Sequence, residues 1–222
     1  GSQGEDRAVT TDSRPASVER LEQQPDVWVA GSTPYPWPYD ARIQPATLAL
    51  IVIVPDGAAP GITPAAGDAA MASITTLAQA VIAFGATVLH VTTASPVLRA
   101  GLGATDTDSS VGGAWSPPTE LPFPATKLSA VGIDAFFGSQ LDSLLRSSHL
   151  THLLLVGVPL ETAVHSTMRA ANDMGYECLL VQDATAALDP DLKRNTLSMV
   201  EMSGGIFGAI GTTAAVLAAL EL

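Results

Sequence analysis

Residues able to do chemistry are few in this chain, and most stand alone. The single cysteine, Cys178, lies in the aliphatic run Cys178-Leu179-Leu180-Val181 with no basic neighbour. A reactive thiol needs a cation or a helix N-terminus to lower its pKa, so Cys178 reads as a structural thiol. His149 and His152 are three residues apart at an expected helix-to-strand corner. They read as a solvated surface pair, and no metal-ligand set is expected elsewhere. His90 lies near the end of an expected strand and reads either as a satisfied core histidine or as a pocket group. Glu161 and His165 are four residues apart on an expected helix, the spacing of an ordinary surface pair. Gly101-Leu102-Gly103 belongs to no helix-opening pattern, so it is not a phosphate-cradling loop, and no cofactor is expected.

The elements that must position these residues alternate along the chain. Residues 47–54 form a continuous run, mostly aliphatic and rich in β-branched types, the pattern of a central strand in a parallel sheet. A helix is expected over 68–84 with Gly85 as its C-cap, then a strand over 86–91. Residues 93–125 are dominated by Gly, Ser, Thr, Asp and Pro and read as a long functional or disordered loop. Helical spacing returns over 134–146, with Phe137, Leu141, Leu144 and Leu145 on one stripe. Strands are expected over 153–157, 178–181 and 206–210. Helices are expected over 161–174, capped by Gly175, over 190–202, with Asp189 as N-cap and Pro190 in the first turn, and over 212–220. Such alternation gives a three-layer α/β/α domain with a mostly parallel, Rossmann-like sheet and a ligand crevice at the strands' carboxyl ends.

Composition narrows the function. The 222 residues are 47% hydrophobic and 14% charged, with a net charge of −12 and a mean hydropathy of +0.30. That is ample for one large core. An acidic chain repels phosphate backbones and anionic lipid surfaces, so neither nucleic acid nor membrane is an expected partner. One cysteine excludes an intramolecular disulfide framework. No run of eighteen apolar residues occurs. Residues 1–28 read as a polar, flexible arm with one helical turn near 18–23, no signal peptide, and a cloning remnant at Gly1-Ser2. The domain is expected over 29–222, in the cytoplasm. Pro34, Pro36 and Pro38, alternating with Tyr35, Trp37 and Tyr39, form an extended lead-in.

The stretch from Gly157-Val158-Pro159-Leu160-Glu161-Thr162-Ala163-Val164-His165-Ser166-Thr167 to Gly175-Tyr176-Glu177 ends a strand, turns and opens a helix. It resembles the isochorismatase-like cysteine hydrolases, which include nicotinamidases and carbamoylsarcosine, ureidoacrylate and biuret hydrolases. Three further blocks match in order. Tyr35-Pro36-Trp37-Pro38-Tyr39-Asp40, with Pro45 and 48–53, is similar to the entry to strand one in the biuret hydrolase branch. Ala135-Phe136-Phe137-Gly138-Ser139-Gln140-Leu141 is similar to the block before the third helix, and Met202-Ser203-Gly204-Gly205-Ile206-Phe207-Gly208 to the last strand. The resemblance covers residues 33–222 and implies the isochorismatase-like fold. Residues 93–125 do not match.

The resemblance also implies amide hydrolysis by an Asp, Lys and Cys triad. The thiolate attacks the carbonyl, the aspartate takes its proton, and the lysine holds the anionic pair. Here the three matching positions are Val54, Ala130 and Ala163. Lys127, three residues before Ala130, restores the cation only if the alignment shifts. The family's oxyanion hole uses the backbone N–H of the cysteine and of the residue four before it. The latter matches Pro159, which has none. The family carries a cis peptide entering that residue, and Val158–Pro159 accommodates one cheaply, whereas a non-proline bond costs ~3 kcal/mol. A pseudoenzyme is therefore expected. It would be a homo-oligomer, a subunit beside an active paralogue, or a binder of a small ligand, with the alanine-rich 212–220 helix placed in a subunit contact or on its own sheet. The rival expectation is altered chemistry in the same crevice, since some isochorismatases cleave a vinyl ether with an acid and no cysteine. Asp56 is then the first candidate acid, with Asp134, Glu161 and His165 near the crevice mouth. Trp115 would cover the pocket or pin the loop.

Overall fold

The computed structural model describes residues 26–94 and 114–221. Residues 1–25 of the expected arm, its helical turn and most of the 93–125 loop lie outside these residues, while Val27, at the arm's expected end, donates its N–H to the Ala41 carbonyl at 2.8 Å. Eight strands are present among them: β1 (Leu48–Pro55), β2 (Ala59–Pro60), β3 (Thr87–Thr93), β4 (Ala114–Trp115), β5 (Thr126–Ser129), β6 (His152–Gly157), β7 (Glu177–Thr185) and β8 (Ala209–Gly211). Six form one parallel sheet in the order β5-β3-β1-β6-β7-β8. β2 and β4 pair antiparallel apart from it. The helices are α1 (Pro64–Ala83), α2 (Leu141–Ser147), α3 (His165–Asp173), α4 (Pro190–Met202) and α5 (Thr213–Leu220), with a π-helical turn, Leu160–Val164, leading into α3.

Every residue of β1 is buried, as its two-faced apolarity requires. Alternate residues feed two cores. Leu50, Val52 and Val54 pack with Ile74, Leu77 and Val81 of α1 and with Val216 of α5. Ala49, Ile51 and Ile53 pack on the other face with Leu141, Leu145 and Met168. The 212–220 helix thus lies on its own domain, against α1 and β7. α1 starts before the expected residue 68 because Thr63 caps it, its Oγ1 accepting from the Ala66 N–H at 3.2 Å, with Pro64 in the first turn. Its 20 residues, with hydropathy 1.2, match a membrane span in length and apolarity. Its Ala70, Ile74, Leu77 and Val81 side chains are nevertheless spent on the sheet.

The 134–146 helix is a correction. Only Leu141–Ser147 is helical. Gly138 sits at φ +65°, the Asp134 carboxylate accepts from the Phe136 N–H at 2.9 Å, and Ser139 Oγ donates to the Ala135 carbonyl at 2.6 Å. These local bonds favour consecutive turns over a helix, and Phe137 points outward, 65% exposed. The 206–210 strand shrinks to Ala209–Gly211. Upstream of β1, a strap runs past the sheet's N-terminal edge. Val29 donates to Trp37 at 2.8 Å, and Thr33 exchanges both backbone bonds with Ile210 of β8, at 3.0 and 2.7 Å.

Candidate functional site at the carboxyl ends of the strands

Backbone bonds converge at the C-terminal edge of the sheet. Val54 is registered against Thr92, and the Thr92 carbonyl accepts from the Ala130 N–H at 2.8 Å. Asp56 donates its N–H to Thr93 at 2.8 Å and Val158 donates to Ile53 at 2.9 Å. The strand β6 therefore leaves the sheet in contact with β1. Gly157 makes this approach feasible: at φ +137° a Cβ would collide with the Ile53 carbonyl oxygen. The Val158–Pro159 bond is cis. Leu160 then donates to the Ala186 carbonyl at 2.8 Å as the π-helical turn begins.

Val54, Ala130, Pro159 and Ala163 are thus brought to one edge. Val54 is buried in the core on the α1 side. Ala163 is buried in the other, and Ala130 packs against that same core. None of the four side chains carries a titratable group, and Pro159 has no N–H to donate. Thr167, unremarked in the sequence, ties the site together. Its hydroxyl donates to the Ala163 carbonyl at 2.7 Å and accepts from the Ala135 N–H at 3.0 Å. The signal was its position four residues after Ala163, where a threonine bonds back along a helix.

The remaining candidates scatter. Asp56 lies past the end of β1 and is exposed. Asp134 is half-buried, and burial raises its carboxyl above the usual range against the opposing Phe136 N–H. Glu161 and His165 do not form the expected surface pair. Glu161 accepts from the Leu188 N–H at 2.9 Å through one oxygen, while its other oxygen and the Thr162 hydroxyl are buried without partners. His165 is buried, meets Arg169 at 3.3 Å and packs edge-on to Phe207. Burial, then Arg169, holds its imidazole below the ordinary value. His90 is mid-strand rather than at a strand end, registered between Val52 and Lys127 with neither ring nitrogen partnered. Burial, then Lys127, lowers it. Lys127 itself is exposed on β5.

Trp115 pins the chain to α1: its indole donates to Asp68 at 3.1 Å, and its ring lies where a side chain on Gly67 would sit. Cys178 is buried and burial pushes its thiol well up, so it is no nucleophile. The histidine pair is a second correction. His149 is exposed at φ +57°. His152 is buried at the opposite, N-terminal edge of the sheet, facing Asp40 and Glu177. His152 and Glu177 each open a parallel strand, and this shared register was the available signal.

Comparison with known proteins agrees with this architecture. The isochorismatase domain family model matches residues 52–215. Ureidoacrylate amidohydrolase RutB of Caulobacter segnis is 36% identical over 80 residues, 36% of this chain and 32% of that protein. The Agrobacterium fabrum RutB is 31% identical over 96 residues, 43% of this chain and 39% of that protein. The chain thus spans well under half the length of these curated relatives. Among solved structures, an isochorismatase family protein from Burkholderia thailandensis superposes with a TM-score of 0.64 at 26% identity, covering 80% of this chain and 97% of that one. A cysteine hydrolase from Pseudomonas syringae pv. phaseolicola 1448A shares the fold, with a TM-score of 0.62 at 20% identity over 90% of this chain and 98% of its own. With a six-stranded parallel sheet, a cis-proline turn into a π-helical segment after β6 and a domain match across most of its length, this chain belongs to the isochorismatase family of α/β hydrolases.

Proposed function

We propose that this chain is a non-catalytic member of its family, acting as an oligomer subunit or as a binder of a small ligand. The observation that carries this reading is the chemistry at the strand ends. Val54, Ala130 and Ala163 offer no base, cation or nucleophile, and Pro159 offers no backbone donor. Acyl transfer needs an activated nucleophile and donors aimed at the developing oxyanion. Losing one such donor alone costs ~10²–10³ in rate. Burial of Val54 and Ala163 in the two cores supports the reading further, because these positions now serve packing.

A subunit role is favoured by apolar side chains turned outward beside the site, Val131 and Phe137, and at the end of α4, Met202 and Ile206. The partner is a second copy of this chain or an active paralogue. The cytoplasm belongs to the same proposal, being compatible with a single buried cysteine. The test is an assay of the purified protein against biuret, ureidoacrylate, nicotinamide and isochorismate, with co-purification from the native host. No amide turnover above buffer is expected, together with an equimolar homologue or a retained metabolite. Cysteine-type amide turnover would overturn the proposal.

One observation favours a second reading, acid chemistry without a cysteine. Asp134 combines a raised proton affinity with a place one residue from the Ala135–Thr167–Ala163 bonds. Turnover of isochorismate that is abolished by Asp134→Asn would select it over the first.

A further inference from the structure

The N-terminal edge of the sheet holds a cluster that neither core packing nor the crevice accounts for. His152 Nε2 lies 3.2 Å from Asp40 Oδ1 and 3.8 Å from Glu177 Oε2. The three potential ligand atoms are all within 4.8 Å of one another. Bonds of about 2.0–2.2 Å to one cation place neighbouring ligand atoms roughly 3.0–3.5 Å apart, so the cluster needs only small side-chain adjustments.

Each member is held by a second bond. Thr151 Oγ1 meets His152 Nδ1 at 2.9 Å. Arg42 donates its N–H to Asp40 Oδ1 at 3.0 Å. Tyr39 donates its N–H to Glu177 Oε1 at 2.6 Å, leaving Oε2 to face the imidazole. Outer partners of this kind orient metal ligands. Nε2 faces two carboxylates, so either a proton or a metal cation lies between them. Tyr35, stacked on Tyr39 and adjoining Glu177, has a buried hydroxyl with no well-formed hydrogen bond. Asp40 is about half exposed, so one side of the cluster is open to water ligands.

We propose that Asp40, His152 and Glu177 bind one borderline divalent cation of the zinc or manganese class. One imidazole with two carboxylates suits such ions, whereas all-oxygen sets suit magnesium or calcium. The cation takes the place of the Nε2 proton. The site lies at the end of the sheet opposite the crevice, so its role is structural. It joins the strap that carries Asp40 to the first residues of β6 and β7.

Chelator-stripped full-length protein is titrated with Zn²⁺ and with Mn²⁺ by calorimetry, and thermal unfolding is followed in parallel. One equivalent is expected, with Tm raised by about 5–10 °C at a hundredfold excess over Kd and little response to Mg²⁺. His152→Gln and Asp40→Asn should each weaken binding at least tenfold and remove most of the shift, while His149→Gln leaves both unchanged. If His152→Gln fails to fold, Asp40→Asn, at a half-exposed position, decides alone. Absence of uptake by the stripped protein, or uptake undiminished in the Asp40 variant, overturns the site.

Discussion

Restoring the thiol alone should not restore amide hydrolysis. In Ala163→Cys the new sulfur occupies a position only 2% exposed, in the buried core that also holds Leu160, Val164 and Phe136. At an ordinary pKa of ~8.5, about 3 per cent of the thiol is ionised at pH 7. The start of the π-helical turn favours the thiolate, while burial opposes it, as it does at Cys178. Val54 supplies no base, and positioned proton transfer is worth ~10²–10⁴. Pro159 still withholds a donor worth another ~10²–10³. These effects are not strictly additive, but their product leaves the variant at least about 10⁴-fold short of a complete site. The assay is turnover of a panel of small amides, with the alkylation rate of the introduced thiol measured across pH. A fourfold variant, Val54→Asp, Ala130→Lys, Pro159→Ala and Ala163→Cys, restores each group by position. It also places two charges where apolar packing stood, so stability must be measured alongside. Robust turnover by Ala163→Cys alone would refute the reasoning. Its loss on adding Asp56→Ala would then identify the base.

Gly157→Ala should destabilise the domain by about 3 kcal/mol or more, since left-handed backbone strain adds to collision with the Ile53 carbonyl; a lowered urea midpoint with unchanged m checks this. The Tyr176 hydroxyl at 2.6 Å, then Arg146, holds the Asp142 carboxyl below its usual range. Stability from that bond is present above about pH 4 and is lost as pH falls further. Tyr176→Phe should therefore cost about 1 kcal/mol at neutral pH, less in acid, reduced from the usual charged-bond value because Asp142 is 41% exposed. His90 and His165 are both held below the ordinary imidazole value. The folded chain then binds fewer protons than the unfolded one, so stability is full above about pH 6.5 and declines below it. The double variant His90→Gln, His165→Gln should flatten that decline in pH-dependent melting.

Legibility in the sequence followed the range of the forces involved. Helix α4 runs Pro190–Met202 as read, because its start is a local matter: Asp189 caps it through the Leu192 N–H at 2.8 Å, with Pro190 in the first turn. The parallel sheet was readable from apolar runs long enough to be buried on both faces. β5 was not, because Thr126–Ser129 sits at the sheet's margin with three of its four residues exposed. The turns over 134–140 were hidden because their apolar spacing mimics a helix while side-chain bonds from Asp134 and Ser139 decide the backbone. His152 was misread for the opposite reason: its partner Asp40 is 112 residues away, and no local pattern announces that the strap folds back. The four apolar positions at the strand ends were visible only through the family resemblance, since a valine or an alanine in a core carries no signal of what it replaces.

The bonds between Thr33 and Ile210 also matter for colloidal behaviour. A parallel sheet that stops at β8 would present unpaired N–H and C=O groups, a template on which another chain can add a strand. The strap occupies that template by bonding Ile210 in both directions. At the far margin the short β5 carries Lys127, a charge that discourages pairing there. The two ends of the sheet are therefore guarded by different means, one by covering backbone and the other by brevity and charge. Shortening the chain through Thr33 would remove the first guard and leave the hydrolase fold intact but self-adhesive, so that light scattering would rise with concentration before any loss of helix signal.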